Sequence, residues 1–322
     1  ANGIPPFIGV LGDAVRDVVK KFGEDGLDEG DVIIINDPYM GGATHQNDVV
    51  LVMPIFYRGK LIMFAANKAH WNDIGGMEPG SWTPSATEVY QEGLIFPAVK
   101  LYERGQECQG VVDIIARNSR IPDMTLGDMR AQAASLQVAA RRVIQICDKY
   151  GLDTVLQAVE IYLEQGRQEA LAQLKKLPKG EFTAEEYIDD DGLGGDPVLV
   201  KVKVTITDDE FIIDYTGTGK TCRGPINAPL SALLSTAKFA YKAVVGPHAD
   251  TNEGFFAPLK VIVPEDCVFN PKPPAPVSTY WESDSYAGDV IWKALADAIP
   301  TRITAGHFLS VCGTTVSGID DR

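Results

Sequence analysis

Apolar positions recur at helical spacing in three stretches of the chain. The first covers residues 7–22, and the second runs from about residue 128 to 150. A third helix is predicted to begin at Asp153, a favourable N-cap residue, and to stop before Pro178, which cannot continue a helix. Because little more than Gly151 separates the last two stretches, they are expected to form an antiparallel helical pair.

Strands are predicted between the first two helices. Residues 32–35 are four consecutive β-branched apolar residues, which indicates a short, fully buried strand. Two longer strands, 49–57 and 61–69, flank the segment Arg58-Gly59-Lys60. A three-residue loop with a central glycine is a common hairpin connection, so these two strands are expected to pair as a β-hairpin.

Beyond residue 180 the pattern changes to alternation. Residues 198–206 place an apolar residue at every second position, which predicts a strand with one buried face. A second strand is predicted at 210–215. We therefore predict a mixed α+β fold of two domains, with the boundary marked by this change in pattern. An α/β domain with the hairpin and the helical pair spans 1–180, and a β-rich α+β domain spans 181–322.

Composition and charge exclude several classes of partner. The chain has 44 acidic and 29 basic residues, a net charge of −15 that repels nucleic acid and anionic membrane surfaces. Its longest apolar run, 49–57, is far shorter than the ~20 residues that a membrane span requires. The five cysteines are widely spaced with no C-x-x-C pair, which is typical of reduced thiols. We therefore expect a cytoplasmic protein without a nucleic-acid or membrane partner.

Two of the four histidines lie close to the predicted hairpin. If Tyr57 pairs with Leu61, the register places Asp48 directly opposite His70, with both side chains on one face. His45 lies three residues before Asp48, in the loop that enters the strand, and its side chain can fold over Asp48 and His70. Two imidazole nitrogens and one carboxylate suit Zn²⁺, Mn²⁺ or Fe²⁺ and leave positions open for water or substrate. The alternative is a pair of structural histidines, because this spacing alone is not specific.

Polar residues at neighbouring strand ends are candidates to support such a site. Asp37 follows the first strand, and Asn72 and Asp73 follow His70. A histidine that binds a metal usually donates its other N–H to a carboxylate or carbonyl oxygen, which these side chains could offer. The same three residues are also typical of turns, so both interpretations stand.

Further titratable residues receive structural interpretations. Glu88 and Glu92 flank Tyr90 and could contact a substrate, but a solvated loop face is the favoured interpretation. His248 and His307 lack neighbours that could complete a metal site, and both are predicted to be structural.

A glycine-rich segment resembles a phosphate-binding loop without satisfying its requirements. Residues 216–221 read TGTGKT and follow a predicted strand. A phosphate-binding loop requires glycine where Asp214 stands, and a helix directly after the threonine. Pro225 and Pro229 argue against that helix. The segment is predicted to be a plain loop, which places ATP binding on another chain.

Five blocks of the sequence resemble the hydantoinase B/oxoprolinase family. They are GDVIIINDPY (30–39, followed by His45 and Asp48), ANKAHWNDIGGM (66–77), PGS (79–81), EVYQEGL (88–94) and GDMRAQ (127–132). The similarity runs through most of the chain and is weakest after about residue 265.

The resemblance implies that His45, Asp48 and His70 bind one catalytic divalent metal ion. It also implies a further aspartate ligand from a segment before residue 1, and a glycine-rich part after Arg322, so both chain ends are expected to be incomplete. Family members work in hetero-oligomers with a hydantoinase A-type subunit that binds ATP. That partner phosphorylates an oxygen of the substrate, and the B-type subunit finishes the reaction. We expect a water on the ion held by His45, Asp48 and His70 to attack the activated ring carbon.

Three functions are compatible with this resemblance. The leading hypothesis is a subunit of an ATP-dependent cyclic amide hydrolase acting on hydantoin, 5-oxoproline or another lactam. The second is a subunit of an ATP-dependent ketone carboxylase of the acetone or acetophenone type, since the two branches share the ligand motif. The third is a non-catalytic structural subunit of such a complex.

Overall fold

Five antiparallel strands of the described residues form the first sheet. The computed structural model describes residues 9–40, 42–80, 82–306 and 309–310. The strands of this sheet are β1 (Val32–Ile35), β2 (Asp48–Tyr57), β3 (Lys60–His70), β4 (Val99–Glu103) and β5 (Gln106–Glu107). Their order across the sheet is β3-β2-β1-β4-β5. β1 therefore lies in the centre, which explains its continuous apolar sequence.

Strands β2 and β3 form the predicted hairpin, and Asp48 pairs with His70 at its open end. The prediction of a three-residue loop is wrong. The turn consists of Arg58 and Gly59, with φ angles of 50° and 77°. Two consecutive residues in the left-handed region match the twist of a two-residue hairpin.

A bulge explains why the register at Asp48 is right although the turn is one residue shorter than predicted. Tyr57 pairs with Lys60 rather than with Leu61. The register then shifts between Ile55 and Phe56, which restores the predicted pairing for the rest of the ladder. The error at the turn thus does not reach the candidate ligands.

Helices cover both faces of the first sheet. They are α1 (Leu11–Phe22) on one face, and α2 (Gln109–Asn118) and α3 (Pro122–Tyr150) on the other. Helix α4 (Leu152–Leu174) follows α3 directly, and a short 3₁₀ helix spans Val89–Gln91. The first predicted helix begins at Leu11, and residues 7–8 lie outside the described residues. The second begins at Pro122, earlier than predicted, because proline is well tolerated in the first turn of a helix.

Side chains of β1 and β2 alternate between the two faces of the sheet, and each face packs against a different helix. One face packs against Ala14 and Val18 of α1, and it includes Ile33, Ile35 and Val50. The opposite face packs against α3, with residues Ile34, Val49, Leu51, Met129, Ala133 and Leu136 in the same cluster. Alternate residues of a strand share one face, so Asp48, two positions before Val50, also lies on the face that packs against α1.

The second sheet contains β6 (Gly180–Ile188), β7 (Val198–Ile206), β8 (Phe211–Asp214) and β9 (Leu259–Ile262), in that order. β8 and β9 are parallel, and the other pairs are antiparallel. The remaining helices are α5 (Leu230–Val245), α6 (Glu253–Phe256) and α7 (Trp281–Leu295). The predicted α+β class is confirmed. None of the helices in the described ranges is both long and apolar enough to cross a membrane.

One large hydrophobic core holds the second sheet together with α5 and α7. The buried residues Val200, Val202 and Val204 of β7 confirm the predicted alternation. Ala170 and Leu174 from the end of α4 belong to the same core, so this helix extends from the first part of the chain into the second. The domain boundary near residue 180 stays a prediction.

A segment before α7 returns to the first part of the chain. The backbone N–H groups of Val277 and Ser278 both donate to the Glu92 carboxylate, and Tyr39 donates its hydroxyl proton to the carbonyl of Ala275. Val89 N–H donates to the carbonyl of Pro274. These contacts position the start of α7 beside the open end of the β2–β3 hairpin.

Candidate metal centre

Three side chains converge at the open end of the hairpin. His70 Nδ1 lies 3.1 Å from Asp48 Oδ1, and His45 Nε2 lies 3.3 Å from each of these two atoms. The strand pairing brings His70 to Asp48, and a tight turn places His45 over both, with Asp48 N–H donating to the His45 carbonyl. The structure therefore brings the three predicted ligands together.

The spacing of these donor atoms fits a single metal ion. Ligands of a tetrahedral zinc ion, at metal–donor distances of about 2.0–2.2 Å, lie roughly 3.3–3.6 Å apart. The three observed separations are close to that range. His45 and Asp48 are buried, whereas the His70 side chain is 32% exposed. This exposure leaves one side of the cluster open to a water molecule or a substrate.

Two further polar residues contact the second oxygen of the Asp48 carboxylate. The Thr44 hydroxyl donates a hydrogen bond to Asp48 Oδ2, and Lys68 Nζ lies 3.6 Å from the same oxygen. Lys68 Nζ also donates to Thr44 Oγ1 at 2.8 Å. Neither residue was predicted from the sequence, although strand alternation places Lys68 on the same face as His70.

Burial and charge set the protonation states of the cluster. Burial lowers the pKa of His45, which favours the neutral imidazole that a metal requires. Burial alone would raise the pKa of Asp48, but His45, Lys68 and the hydrogen bonds from both imidazoles hold it well below its usual range. Burial also lowers the pKa of Lys68, to about 8, against the attraction of Asp48. The cluster thus contains an imidazole that burial keeps neutral, that of His45, and an ionised carboxylate, that of Asp48.

Aromatic side chains from the start of α7 pack around His45. The rings of Tyr280 and Trp281 lie with centroids 5.5 Å and 5.7 Å from the imidazole. Trp281 in turn contacts Trp82 at 5.4 Å. Both tryptophans are partly exposed, so they form an aromatic surface beside the cluster. Its residues lie far apart in the sequence, and no local pattern indicates their meeting.

The residues predicted to support the histidines form other contacts. Asp73 accepts hydrogen bonds from Arg120 and from the backbone of Gly75 and Gly80. The Asn72 amide reaches Met124, and Asp37 caps the turn at Tyr39. Asp37 and Asp73 thus stabilise turns, and support of the imidazoles by Asp37, Asn72 or Asp73 stays a prediction.

The second imidazole nitrogen of His45 does not contact a carboxylate or carbonyl oxygen of the predicted kind in the described part of the chain. In the described ranges, Nδ1 of His45 is buried without a hydrogen-bond partner. Its surroundings are the aromatic rings of α7 and not a carboxylate. On this side, the ring is held by packing against Tyr280 and Trp281.

The expectation that Glu92 lies on a solvated face is wrong. Its side chain is buried, and Oε1 accepts the N–H groups of Val277 and Ser278 at 2.7 and 2.8 Å. Burial raises the pKa of Glu92 to about 8, against these hydrogen bonds. Glu88 and Tyr90, by contrast, are exposed as expected.

The other structural interpretations can be compared with the described residues. Residues 216–221 form a loop, and the next helix begins only at Leu230, so the prediction of a loop without a following helix is confirmed. Thr218 bonds to the backbone of Lys201 on the neighbouring strand. His248 is exposed on a turn, and His307 lies outside the described residues.

Comparison with known proteins decides the family. The profile described as hydantoinase B/oxoprolinase matches residues 1–322. The chain belongs to the hydantoinase B/oxoprolinase family. This membership confirms the resemblance found in the sequence blocks.

Two curated members of this hydantoinase B/oxoprolinase family are similar over nearly the whole chain. The B-type subunit of a putative D-/L-hydantoinase from Pseudomonas sp. (strain NS671) is 35% identical over 91% of this chain and 51% of its own length. The beta chain of the caprolactamase from Pseudomonas jessenii is 32% identical over 99% of this chain and 55% of its own length. The chain thus spans about half the length of the curated relatives it matches.

Two solved structures share the fold. The ATP-dependent caprolactamase from Pseudomonas jessenii superposes with a TM-score of 0.88 at 30% identity, covering 94% of this chain and 52% of that one. A nucleotide-free acetone carboxylase superposes with a TM-score of 0.86 at 19% identity, covering 94% and 42%. At that identity, the second likeness shows the fold alone.

Proposed function

We propose that this chain is the metal-dependent subunit of an ATP-dependent cyclic amide hydrolase. The substrate class is hydantoin, 5-oxoproline or another lactam. The observation that carries the proposal is the convergence of His45 Nε2, His70 Nδ1 and Asp48 Oδ1 within 3.3 Å of one another, in a member of a family of hydantoinase and lactamase subunits. Two imidazoles and one carboxylate form a donor set typical of catalytic sites for Zn²⁺, Mn²⁺ or Fe²⁺.

Each residue of the cluster has a distinct task in this proposal. His45 and His70 offer imidazole nitrogens, and Asp48 offers negative charge. The divalent ion that they would hold supplies Lewis acidity, which polarises an oxygen of the substrate or of water. The aromatic rings of Tyr280 and Trp281 exclude solvent from the inner side of His45, so access is confined to the exposed side of His70.

The aromatic surface of Trp82 and Trp281 suits the ring of a cyclic amide. The flat amide group and the carbon ring of such a substrate pack well against aromatic faces. Hydrolysis of an unstrained amide also requires activation of its oxygen, and we place that ATP-dependent step on a hydantoinase A-type partner subunit. In support, residues 216–221 lack the helix that a phosphate-binding loop requires.

The test is the purified assembly of this protein with its ATP-binding partner. Metal analysis is combined with ATP turnover against hydantoin, 5-oxoproline, larger lactams and a ketone, each with and without bicarbonate. We expect about one divalent ion per chain and ring opening that depends on ATP but not on bicarbonate. Bicarbonate-dependent consumption of a ketone would instead identify the carboxylase alternative. A metal-free assembly with full activity would contradict the proposal.

A further inference from the structure

The carboxylate of Asp48 presents its two oxygens to different groups. Oδ1 faces the two imidazoles, at 3.1 Å from His70 Nδ1 and 3.3 Å from His45 Nε2. Oδ2 accepts the Thr44 hydroxyl and lies 3.6 Å from Lys68 Nζ. Thr44 and Lys68 are themselves joined by a hydrogen bond of 2.8 Å. One oxygen is thus held by Thr44 and Lys68, and the other is directed at the candidate site.

Lys68 occupies a position where packing alone would favour an apolar residue. It pairs with Val50, on the face where Val52 and Ala66 pack against α1. Its side chain is 1% exposed. A buried ammonium group costs several kcal/mol of desolvation unless its partners are well placed. The lysine therefore interrupts an apolar face at considerable cost, and its described partners are Asp48 and Thr44.

We propose that Thr44 and Lys68 act as a clamp that restricts Asp48 to one donor oxygen, and that this clamp raises the preference of the site for Zn²⁺ over larger, oxygen-preferring ions. The inference rests on the proposed function, because it concerns the ion of that site. Zinc accepts four ligands, including imidazoles and single carboxylate oxygens. Manganese and calcium favour oxygen-rich surroundings, and a carboxylate can offer calcium both of its oxygens. A carboxylate with Oδ2 already engaged is a poorer partner for these ions.

The variants separate the effect of the clamp from the effect of charge. Thr44→Val removes the hydroxyl without changing charge, and Lys68→Met removes the ammonium group while keeping an unbranched chain. Lys68→Arg keeps the charge and a hydrogen-bond donor. The matched control is Lys203→Met, because Lys203 also lies 3.6 Å from a carboxylate, that of Glu181 on the adjacent strand, but is exposed.

The measurement is the dissociation constant of Zn²⁺ and of Mn²⁺ for the metal-free protein, by competition with a chromophoric chelator. Loss of the Lys68 charge strengthens binding of both ions alike, and the ratio of the two constants cancels that common change. We expect the preference for Zn²⁺ to fall about tenfold in Thr44→Val and in Lys68→Met, the lower range for residues that orient metal ligands. It is expected to stay within about threefold of wild type in Lys68→Arg and in Lys203→Met.

Circular dichroism and thermal unfolding of each variant establish that it is folded. An unchanged ratio in both Thr44→Val and Lys68→Met, with tight Zn²⁺ binding by the wild type, would overturn the clamp and leave the proposed function standing. Failure of the wild-type protein to bind any divalent ion would overturn the proposed function itself. The two failures are therefore distinguishable in one experiment.

Discussion

Two aspartates near the end of strand β3 are buried to a similar degree but hold different partners. Asp73 receives four donors: the backbone N–H groups of Gly75, Gly80 and Arg120, and the guanidinium of Arg120 at 3.0 Å. Asp48 has Thr44 and Lys68 on one oxygen only. Its other oxygen faces two imidazoles.

The difference shows how a structural carboxylate can be told from a candidate ligand. The oxygens of Asp73 are shared among backbone donors and one partly exposed arginine, which is what a turn requires. Asp48 directs an oxygen towards groups that are themselves metal ligands when neutral. Burial alone does not distinguish the structural carboxylate from the candidate ligand. The groups that each carboxylate oxygen faces do distinguish them.

The largest effect is expected from His70→Ala, which removes one of the two imidazoles that face Asp48. Loss of one of three ligands is expected to weaken Zn²⁺ binding by at least about 100-fold and to abolish ring opening by the assembled enzyme. Metal titration and ATP-dependent lactam turnover measure the two losses. His248→Ala is the control, because His248 is exposed. Full turnover by His70→Ala would contradict the assignment.

Asp73→Ala is expected to have the opposite pattern: it lowers the stability of the fold and leaves the affinity for Zn²⁺ unchanged. The substitution leaves backbone donors and the Arg120 guanidinium without their acceptor. Because the arginine is partly exposed, we expect the free energy of unfolding to fall by about 2 kcal/mol. Urea denaturation and Zn²⁺ titration are the measurements. A tenfold loss of Zn²⁺ affinity would return Asp73 to the metal site.

A third buried carboxyl group, that of Glu92, is expected to make the stability of the fold depend on pH, and Glu92→Gln tests this. The pKa of Glu92 is raised to about 8, so the folded protein holds a proton that the unfolded chain releases near pH 4.5. Between these values, rising pH therefore favours unfolding of the wild type. Glutamine cannot ionise, so the stability advantage of the variant should grow by about 2 kcal/mol or more from pH 5 to pH 8.

Urea denaturation at both pH values tests this expectation for Glu92. Glu29→Gln is the control, since Glu29 is exposed. An advantage of Glu92→Gln that does not change with pH would show that Glu92 is already ionised in the folded protein.

The smallest effect is expected from Asn72→Ala. The side chain is exposed, and its described hydrogen bond is a weak one to the sulfur of Met124. Unfolding free energy should change by less than about 0.5 kcal/mol, and Zn²⁺ affinity by less than about twofold. The same titration and denaturation experiments apply. A tenfold weaker affinity for Zn²⁺ would show that Asn72 supports the ligands after all.

Much of the hairpin could be predicted because its pattern is local. Side chains on a strand alternate with a period of two, and the pairing of two consecutive strands fixes which residues face each other. Asp48 and His70 were placed opposite each other for this reason. The turn was misjudged by one residue, because two-residue and three-residue loops with glycine have similar sequences, and a bulge compensates for the difference.

The contacts that complete the site were decided by the tertiary structure. Tyr280 and Trp281 lie beside His45, directly after segment 274–278, which binds to the first part of the chain through contacts that include Glu92 and Tyr39. No periodicity encodes such a contact, since it joins a loop to a distant helix start. The sequence by itself indicated the three candidate ligands, their position on the hairpin and the resemblance to the family. Only the tertiary structure determined which oxygen of Asp48 faces the imidazoles and which is held by Thr44 and Lys68, because side-chain direction depends on packing from all sides.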